Sequence, residues 1–202
     1  MAAARQAFTR ESAGARRAAL IEATAACLAE SGLAGTNVRA ICKKAGVSPG
    51  LLRHYFDGID DLVAATYQAT SDRMDAIFAA AVEAAGTDPR ARLSAYLTAS
   101  FRAPVTDPEL LGAWTAFWAL ARSDARMADI HAASYAGYRA RLAELLAACG
   151  AADAGRLAIL LTAMVDGLWL ELSLDATSFG AAAAAEMIER ALTALLPPGQ
   201  DR

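Results

Sequence analysis

The stretch "TNVRAICKKAGVSPGLLRHYF", residues 36–56, holds two short helical patterns on either side of a glycine turn. Thr36 or Asn37 can cap the first pattern, because a side-chain oxygen there satisfies a free N–H at the helix start. The turn, Ala-Gly-Val at 45–47, has glycine where the backbone needs a conformation that other residues resist. Ser48 can cap the second pattern in the same way. Two short helices joined by such a turn predict a helix-turn-helix motif.

The second of these helices is predicted to carry the contacts with DNA, because in this motif it enters the major groove and its N-terminal residues meet the base edges. Pro49 suits the first helical position, where its missing N–H is not needed. The Ser48 hydroxyl can hold a phosphate, Gly50 lets the backbone approach the bases, and Arg53 can reach a base edge or a phosphate. The outward positions are Ser48, Pro49, Gly50, Arg53 and His54, while Leu51 and Leu52 divide between groove and core.

The charge of the chain is divided unevenly between its two parts. Residues 1–56 contain eight Lys and Arg against three Glu, a net charge of +5. Residues 57–202 contain eleven against nineteen acidic residues, a net charge of −8. Lys43 and Lys44 are the only lysines in the chain. The asymmetry predicts a basic module that reads nucleic acid on an acidic body, and chance fluctuation of the scattered arginines is the alternative. For the lysine pair, the alternative explanation is a solvated helix face.

The rest of the chain is dominated by residues that favour helices, and no stretch of five or more residues alternates as a strand does. We therefore predict an all-α chain of about nine helices, with a three-helix DNA-binding head followed by a helical bundle. The predicted helices are Ser12–Ser31, ended by Gly32; Thr36 or Asn37 through Lys44; Ser48 to Phe56; one from Asp60 and Asp61 after a break at Gly58; two that open near Asp88 and Asp107; Ala125–Gly150; Asp153–Leu174; and Ser178–Leu196, ended by Pro197 and Pro198.

Several functional classes lack support in the sequence. Eighteen consecutive uncharged apolar residues do not occur, and the first ten residues lack the apolar core of a secretion signal, so no membrane partner is predicted. The three cysteines Cys27, Cys42 and Cys149 are far apart, as is typical of reduced thiols in a cytoplasmic protein. No metal-ligand spacing, phosphate loop or nucleophile elbow occurs, so no cofactor, metal or enzymatic activity is predicted. An all-helical enzyme or adaptor, in which the helix-turn-helix binds no DNA, is the rival from another class.

Residues 36–56 resemble the helix-turn-helix of TetR-type transcriptional regulators, which are all-helical homodimers. The resemblance extends back over "RRAALIEATAACLAESG" (16–32) and forward through "DDLVAATY" (60–67). It covers about the first 70 residues. In such regulators a small molecule that enters the body shifts the two reading heads apart and releases DNA, so the resemblance implies both operator DNA and a small-molecule effector as partners.

The same resemblance implies domain boundaries and DNA contacts. It places the DNA-binding domain at 14–74, with its motif at 37–56, and an effector-binding and dimerisation domain at 75–202. Many relatives carry a lysine at the foot of the fourth helix, where this chain has Ile59 among acidic residues, so a phosphate contact is expected to be missing there. The residues expected to face DNA are Arg39, Lys44, Ser48, Pro49, Gly50, Leu51, Arg53, His54 and Tyr55, with Lys43 adding charge near the DNA backbone.

The segment "PELLGAWTAFWALARSDARMADIHAASYAGYRARLAELL", residues 108–146, resembles the body of the BetI-type repressors of choline-to-betaine synthesis. This resemblance implies a repressor that responds to choline or another quaternary ammonium compound. A TetR-type repressor for a different apolar or aromatic effector is the alternative.

The candidate effector-binding residues follow from the aromatic spacing in the body. Trp114 and Trp118 are four residues apart on one helical face, with Phe117 beside them. Aromatic rings hold quaternary ammonium ions by cation–π contact, and Trp169 and Asp166 can add a further ring and a negative charge. The alternative explanation is that the aromatic residues form ordinary core packing. Lesser indications are Glu171 as a second acid, Gly167 as room for a ligand or a close helix, and His131 as a simple polar helix residue.

The last two predicted helices are apolar over faces too wide for helices with one side in water. Paired across a two-fold axis, they predict a homodimer with a four-helix interface. Such a dimer places two recognition helices in successive major grooves, so the predicted operator is an inverted repeat.

Overall fold

A computed structural model describes residues 13–175 and 177–196, and all regular structure in these two ranges is helical. This confirms the predicted all-α class. The helix start at Ser12 and the end at Pro197 and Pro198 lie outside the described residues. The elements of the described ranges are α1 Ala13–Gly35, α2 Val38–Ala45, α3 Pro49–Tyr55, α4 Ile59–Ala84, α5 Pro89–Thr98, a 3₁₀ turn Ala99–Phe101, α6 Pro108–Ala121, α7 Ala125–Ala148, α8 Ala154–Leu174 and α9 Ala181–Leu195.

The helix-turn-helix forms as its local sequence predicts. The Asn37 side chain accepts a hydrogen bond from the N–H of Ala40 at 3.0 Å and caps α2. Gly46 ends α2 with φ of 66°, a left-handed conformation that favours glycine. The Ser48 hydroxyl accepts from the N–H of Leu51 at 3.3 Å and caps α3. These caps set the directions in which the two helices leave the turn.

The head has its own small core. α1, α2, α3 and the first turn of α4 meet there through apolar side chains that bury their surface from water. The break predicted at Gly32 is also present, since this residue has φ of 58° inside α1, and one further turn follows it to Gly35. The buried core residues of the head are Leu20, Ala23, Cys27, Ile41, Cys42, Leu52, Phe56 and Leu62.

α4 joins the head to the body as one unbroken helix. It begins at Ile59, one residue earlier than predicted, because Gly58 takes the N-cap position and Asp60 and Asp61 form the first turn. The helix passes through the predicted domain boundary at 74/75, so that boundary stays a prediction. Two distant parts of the molecule are therefore connected by one rigid element.

α6 crosses α1 closely and forms a second joint between body and head. A Cβ atom at Gly112 would lie 2.8 Å from the Cα and 2.9 Å from the carbonyl oxygen of Ala29. Only glycine lets the two helix backbones approach to this distance. The joint lies two residues before Trp114, one of the candidate effector-binding residues.

α9 begins later than predicted, at Ala181 with Gly180 as N-cap. The prediction of Ser178 as the start was wrong because the Asp175 carboxylate binds the loop before the helix. It accepts from the hydroxyl and N–H of Thr177 and from the hydroxyl of Ser178 at 2.5–2.9 Å. These hydrogen bonds lower the pKa of Asp175 to about 2 and hold the segment outside the helix.

α8 and α9 leave large apolar side chains exposed on the surface of the chain. Gly167 also lies on this exposed face, with no atom of the described residues outside its own helix within 4 Å of a Cβ there, so it makes no close contact with another helix of the same chain and leaves no room for a ligand in the core. The exposed apolar side chains of the two helices are Ile159, Leu160, Leu170, Leu174 and Met187.

Two helices, α1 and α8, are long and apolar enough to cross a membrane by length and composition alone. Charged residues occur in both, including Arg16 and Arg17 in α1 and Asp166 in α8. Each helix also buries one side in the fold, α1 in the core of the head and α8 against the rest of the body. The same test is passed by core helices of water-soluble proteins.

Candidate DNA-binding face and effector cavity

The residues predicted to contact DNA all reach the surface of the head. Leu52 alone among the α3 leucines is buried in the head core, while Leu51 is partly exposed. A Cβ atom at Gly50 would meet only the Ser48 hydroxyl oxygen, at 3.9 Å, so this position opens outward. Exposed are Arg39, Lys43, Lys44, Ser48, Pro49, Gly50, Arg53 and His54, and partly exposed are Leu51 and Tyr55.

The two lysines of α2 have different surroundings. The Lys44 ammonium lies 2.6 Å from the Glu30 carboxylate of α1, and this hydrogen bond is the main cause of its raised pKa. Lys43 is exposed and makes no ion pair with any described residue. The structure therefore gives Lys43 the freer charge, whereas the sequence favoured Lys44 as the DNA contact.

The foot of α4 carries no basic side chain. Ile59 is partly buried and packs against both hydrophobic cores. Asp61 forms an ion pair with Arg126 of α7 at 2.8 Å and also accepts from the N–H of Asp57 at 3.4 Å. The hydrogen bond from Arg126 is the main cause of the lowered pKa of Asp61. Asp61 therefore ties the foot of α4 to α7 of the body.

A cavity lies in the body between α4, the 3₁₀ turn, α6, α7 and α8. Its volume is about 50 Å³, counted as the space open to the centres of water molecules, which suits a small guest. Ser71 and Met74 of α4 line it although the predicted boundary assigned them to the head. The lining residues are Ser71, Met74, Asp75, Phe78, Ser100, Trp114, Trp118, Ser134, Tyr135, Tyr138, Val165, Asp166 and Trp169.

Four of the five predicted effector-binding residues line this cavity: Trp114, Trp118, Asp166 and Trp169. Phe117 does not. It is fully buried and packs edge-on against Tyr67, with 4.5 Å between the ring centroids. One step along a helix turns a side chain by about 100°, which places Phe117 in the core behind Trp114 and Trp118.

Asp166 is the central polar group of the cavity. The Tyr135 hydroxyl donates to its Oδ1 at 3.2 Å, and the Trp118 N–H donates to the same hydroxyl at 3.0 Å. Burial raises the pKa of Asp166 to about 6, an effect that the Tyr135 hydrogen bond and the Arg139 charge only partly offset. No ion pair with a described residue neutralises this carboxylate.

The charge of the cavity lining is negative. Asp75 is exposed and lines the cavity together with Asp166, and no lysine, arginine or histidine of the described residues belongs to the lining. Partial burial and the neighbouring Asp72 raise the pKa of Asp75. Glu171, proposed above as a second acid, is exposed on α8 and does not line the cavity.

Two tyrosines of the cavity wall were missed by the sequence reasoning. Tyr135 bridges Trp118 and Asp166, and Tyr138 stacks against Tyr96 with 5.0 Å between the ring centroids. The signal was available, because His131, Tyr135 and Tyr138 are spaced i, i+4 and i+7 on α7. Such spacing predicts one aromatic face on a helix.

His131, expected as a simple polar helix residue, makes contacts with α4 and with a neighbouring ring of its own helix, α7. Its Nδ1 lies 3.0 Å from the hydroxyl of Tyr67 on α4, and its ring lies 4.2 Å from that of Tyr135. Tyr67 also packs against Trp114, with 5.4 Å between the ring centroids. Burial and then the Arg139 charge lower the pKa of His131. The histidine thus connects the cavity wall on α7 with α4, the helix that leads to the head.

Both the head and the body of the chain match known protein families. Residues 20–66 match the description "Bacterial regulatory proteins, tetR family", and residues 89–197 match "BetI-type transcriptional repressor, C-terminal". The protein is a member of the TetR family. Its body is of the BetI type.

Relatives and solved structures agree with this membership. A regulator named BetI from Paraburkholderia xenovorans is 34% identical over 84% of this chain and 87% of its own length. BetI 2 from Chromohalobacter salexigens is 37% identical over 90% and 88%. A transcriptional regulator from Pseudomonas aeruginosa PAO1 superposes with a TM-score of 0.83 at 41% identity, covering 94% of both chains.

A more distant solved structure shares the fold. A transcriptional regulator from Saccharomonospora viridis, solved in complex with choline, has a TM-score of 0.81 over 89% of this chain and 96% of its own. Its sequence identity with this TetR-family chain is 16%. At that distance the likeness concerns the fold alone.

Proposed function

We propose that this TetR-family protein is a cytoplasmic, homodimeric repressor that binds an inverted-repeat operator and is released by a small cationic effector. The single observation that carries the effector proposal is the Asp166 carboxylate, which accepts from Tyr135 but forms no ion pair with a described residue, in a cavity walled by indole and phenol rings. α4 forms part of the cavity wall and reaches the head, and α6 does the same through Gly112. Occupation of the cavity can therefore move the head.

α3 is the proposed recognition helix. Arg53 reaches base edges or phosphate, the free N–H groups at the start of α3 hold a phosphate beside Ser48, and Gly50 admits the DNA backbone. His54 and Tyr55 suit phosphate oxygens. Lys43 and Arg39 add charge along the DNA backbone. Lys44 contributes less because Glu30 already binds its ammonium.

The proposed dimer interface is the exposed apolar face of α8 and α9. Leu160, Gly167 and Leu174 follow one another at intervals of seven residues, and Ala163 and Leu170 occupy the positions between them. This spacing is typical of helices that pack along their length. Two copies related by a two-fold axis would cover the face and place two copies of α3 about 34–36 Å apart, or somewhat farther.

Choline or another quaternary ammonium compound is the proposed effector class. Such a cation has no donor on its nitrogen, so a protein holds it by ring faces and diffuse negative charge, worth about 0.5–2 kcal/mol for each well-placed ring. Trp114, Trp118 and Trp169 provide rings, and Asp166 provides the charge. The BetI-type body and the relatives named BetI support the same class.

Calorimetry with choline, betaine aldehyde and the neutral isostere 3,3-dimethylbutanol tests the effector. Binding of the two cations with at least tenfold weaker binding of the isostere is the expected result. Equal binding of the isostere favours the alternative of an apolar effector, and no binding up to millimolar concentration removes the cation proposal.

Selection of duplexes from random DNA, followed by footprinting, tests the operator. An inverted repeat protected on both half-sites is expected, and choline should reduce its affinity. Binding without a steep decrease as salt rises would instead favour a non-regulatory role, such as that of an enzyme or adaptor.

A further inference from the structure

Two buried polar atoms that lack a hydrogen-bond partner belong to residues of the effector cavity. Tyr138 and Trp169 both line it. Native proteins pair nearly all buried polar groups, so an unpaired one in a residue that lines a cavity calls for a partner from outside the chain, either a water or a ligand atom. The buried side-chain atoms without a partner in the described part of the chain are Arg90 Nη1, Thr98 Oγ1, the Tyr138 hydroxyl oxygen and Trp169 Nε1.

Trp169 gives the sharper constraint of the two. Its side chain is 4% exposed, and an indole N–H can only donate, whereas the Tyr138 hydroxyl, which lies near Ser100, can donate or accept. Three serines and two aspartates line the same cavity, yet none of them accepts from Trp169. The missing partner is therefore an acceptor atom that the described protein residues do not supply.

The indole N–H of Trp118 can be compared with that of Trp169, because both residues line the same cavity. The two rings pack edge-on with 6.0 Å between their centroids, and both line the cavity. The Trp118 N–H already donates to the Tyr135 hydroxyl at 3.0 Å. Both indoles can offer ring surface to a cation, but only Trp169 retains a free donor.

We propose that Trp169 determines specificity by donating a hydrogen bond from its N–H to an oxygen of the effector. The effector is then a small ammonium cation with a neutral hydroxyl, ether or carbonyl oxygen, and not a simple alkylammonium. A negatively charged oxygen fits poorly, because Asp75 and Asp166 share the cavity and repel it. This inference rests on the proposed function, since the cation is placed by Asp166 and the rings.

A matched pair of ligands isolates the acceptor oxygen. (2-Methoxyethyl)trimethylammonium and butyltrimethylammonium have the same charge and chain length and differ by one ether oxygen, which accepts but cannot donate. The wild-type protein is expected to bind the ether about 3- to 10-fold more tightly in calorimetry, the range of one hydrogen bond. Choline and propyltrimethylammonium form a smaller pair for the same comparison.

Two variants test whether the preference for the ether over the alkyl compound depends on Trp169. Trp169→Phe should lose it and bind the alkyl compound at least as tightly as the ether. Trp118→Phe is the control: it also exchanges an indole for a smaller phenyl ring and removes an N–H, but it should keep the preference for the ether. A wild-type protein without the preference, or Trp169→Phe with it, would overturn the proposal.

Indole ¹⁵N–¹H spectra give a readout that does not depend on a folded variant. The chain has only three tryptophans, so each indole resonance can be followed. The Trp169 N–H proton should shift downfield with the ether and not with the alkyl compound; equal shifts with both contradict the inference. If both compounds bind equally, the cation site stands and the oxygen contact fails. If neither binds, the proposed cation site fails and this inference fails with it.

Discussion

The head and the body of this protein position their functional residues in different ways. In the head, hydrogen bonds between residues three positions apart cap the two helices of the helix-turn-helix: the Ala40 N–H donates to Asn37, and the Leu51 N–H donates to Ser48. In the body, the cavity wall is assembled from five elements, and Tyr135 meets Asp166 across 31 positions of the chain. The comparison teaches that a local motif can be recognised from spacing, whereas a cavity depends on how helices pack.

The two regions also differ in charge. The proposed DNA-binding surface carries Arg39, Lys43 and Arg53 exposed to solvent, while the cavity has two carboxylates and no described basic residue in its lining. One region is suited to an anionic partner and the other to a cationic guest. Variants that affect only one region therefore test whether the two functions are separate.

The largest expected effect is on the head. Gly50→Val should abolish operator binding, a loss of at least about 100-fold, because the side chain would stand between α3 and the bases. It should leave the melting temperature within a degree or two, since no described atom crowds that Cβ except the Ser48 hydroxyl at 3.9 Å. Fluorescence anisotropy with the selected operator measures the loss. Operator binding at the wild-type level would show that the recognition helix is placed wrongly.

The next largest effect is expected on stability, at the contact between α6 of the body and α1 of the head. Gly112→Ala would place a Cβ 2.8 Å from the Ala29 Cα and force α6 away from α1, which costs about 1–3 kcal/mol of unfolding free energy. Gly137→Ala in α7 is the matched control, because no described atom lies within 4 Å of its Cβ. That control should stabilise by about 0.5–1 kcal/mol. Urea denaturation compares them, and equal stability of the two variants would contradict the tight joint.

Removal of the Asp166 charge should raise the stability of the protein and weaken effector binding. Asp166 ionises near pH 6 when folded and near pH 4 when unfolded, so its charge lowers stability as pH rises through this window. Asp166→Asn should therefore raise the unfolding free energy at pH 7 by about 1–3 kcal/mol. It should also weaken choline binding about tenfold while operator binding is kept.

The pH dependence of the wild-type protein provides the control for Asp166. Choline affinity should fall as pH decreases from 7 to 5, because Asp166 becomes protonated and loses its charge. The Asp166→Asn variant should show a flatter profile. An unchanged profile in the variant would assign the dependence to another group, with Asp75 as the first to test.

The smallest effect distinguishes the two lysines of α2. Lys43→Ala should reduce the slope of log affinity against log salt by about 1, because one phosphate contact is lost. Lys44→Ala should change the slope less, since Glu30 already binds that ammonium. Operator titrations at four salt concentrations measure both slopes. A larger change for Lys44→Ala would mean that the ion pair opens on DNA.

Much of the fold and part of the candidate site could be predicted from the sequence. The all-helical class, the cap at Ser48 and the turn at Gly46 depend on residues within one or two turns of one another, and their chemistry is readable as spacing. The structure places Trp114, Trp118 and Trp169 in the wall of one cavity, and their contact with an effector stays a prediction. Errors of a few residues arose where a loop used its own hydrogen bonds, as Asp175 does before α9.

The sequence by itself determined the helix-turn-helix, because its caps and glycine turn act over three or four residues and need no distant partner. Tertiary structure alone decided that Phe117 lies in the core while Tyr135 and Tyr138 line the cavity, since helical spacing does not say which face meets which neighbour. It also decided that Lys44 meets Glu30 across 14 positions. Local hydrogen bonds depend on residues close together in the sequence and can be predicted from them, whereas the burial and pairing of side chains depend on the packing of helices that are remote in the chain.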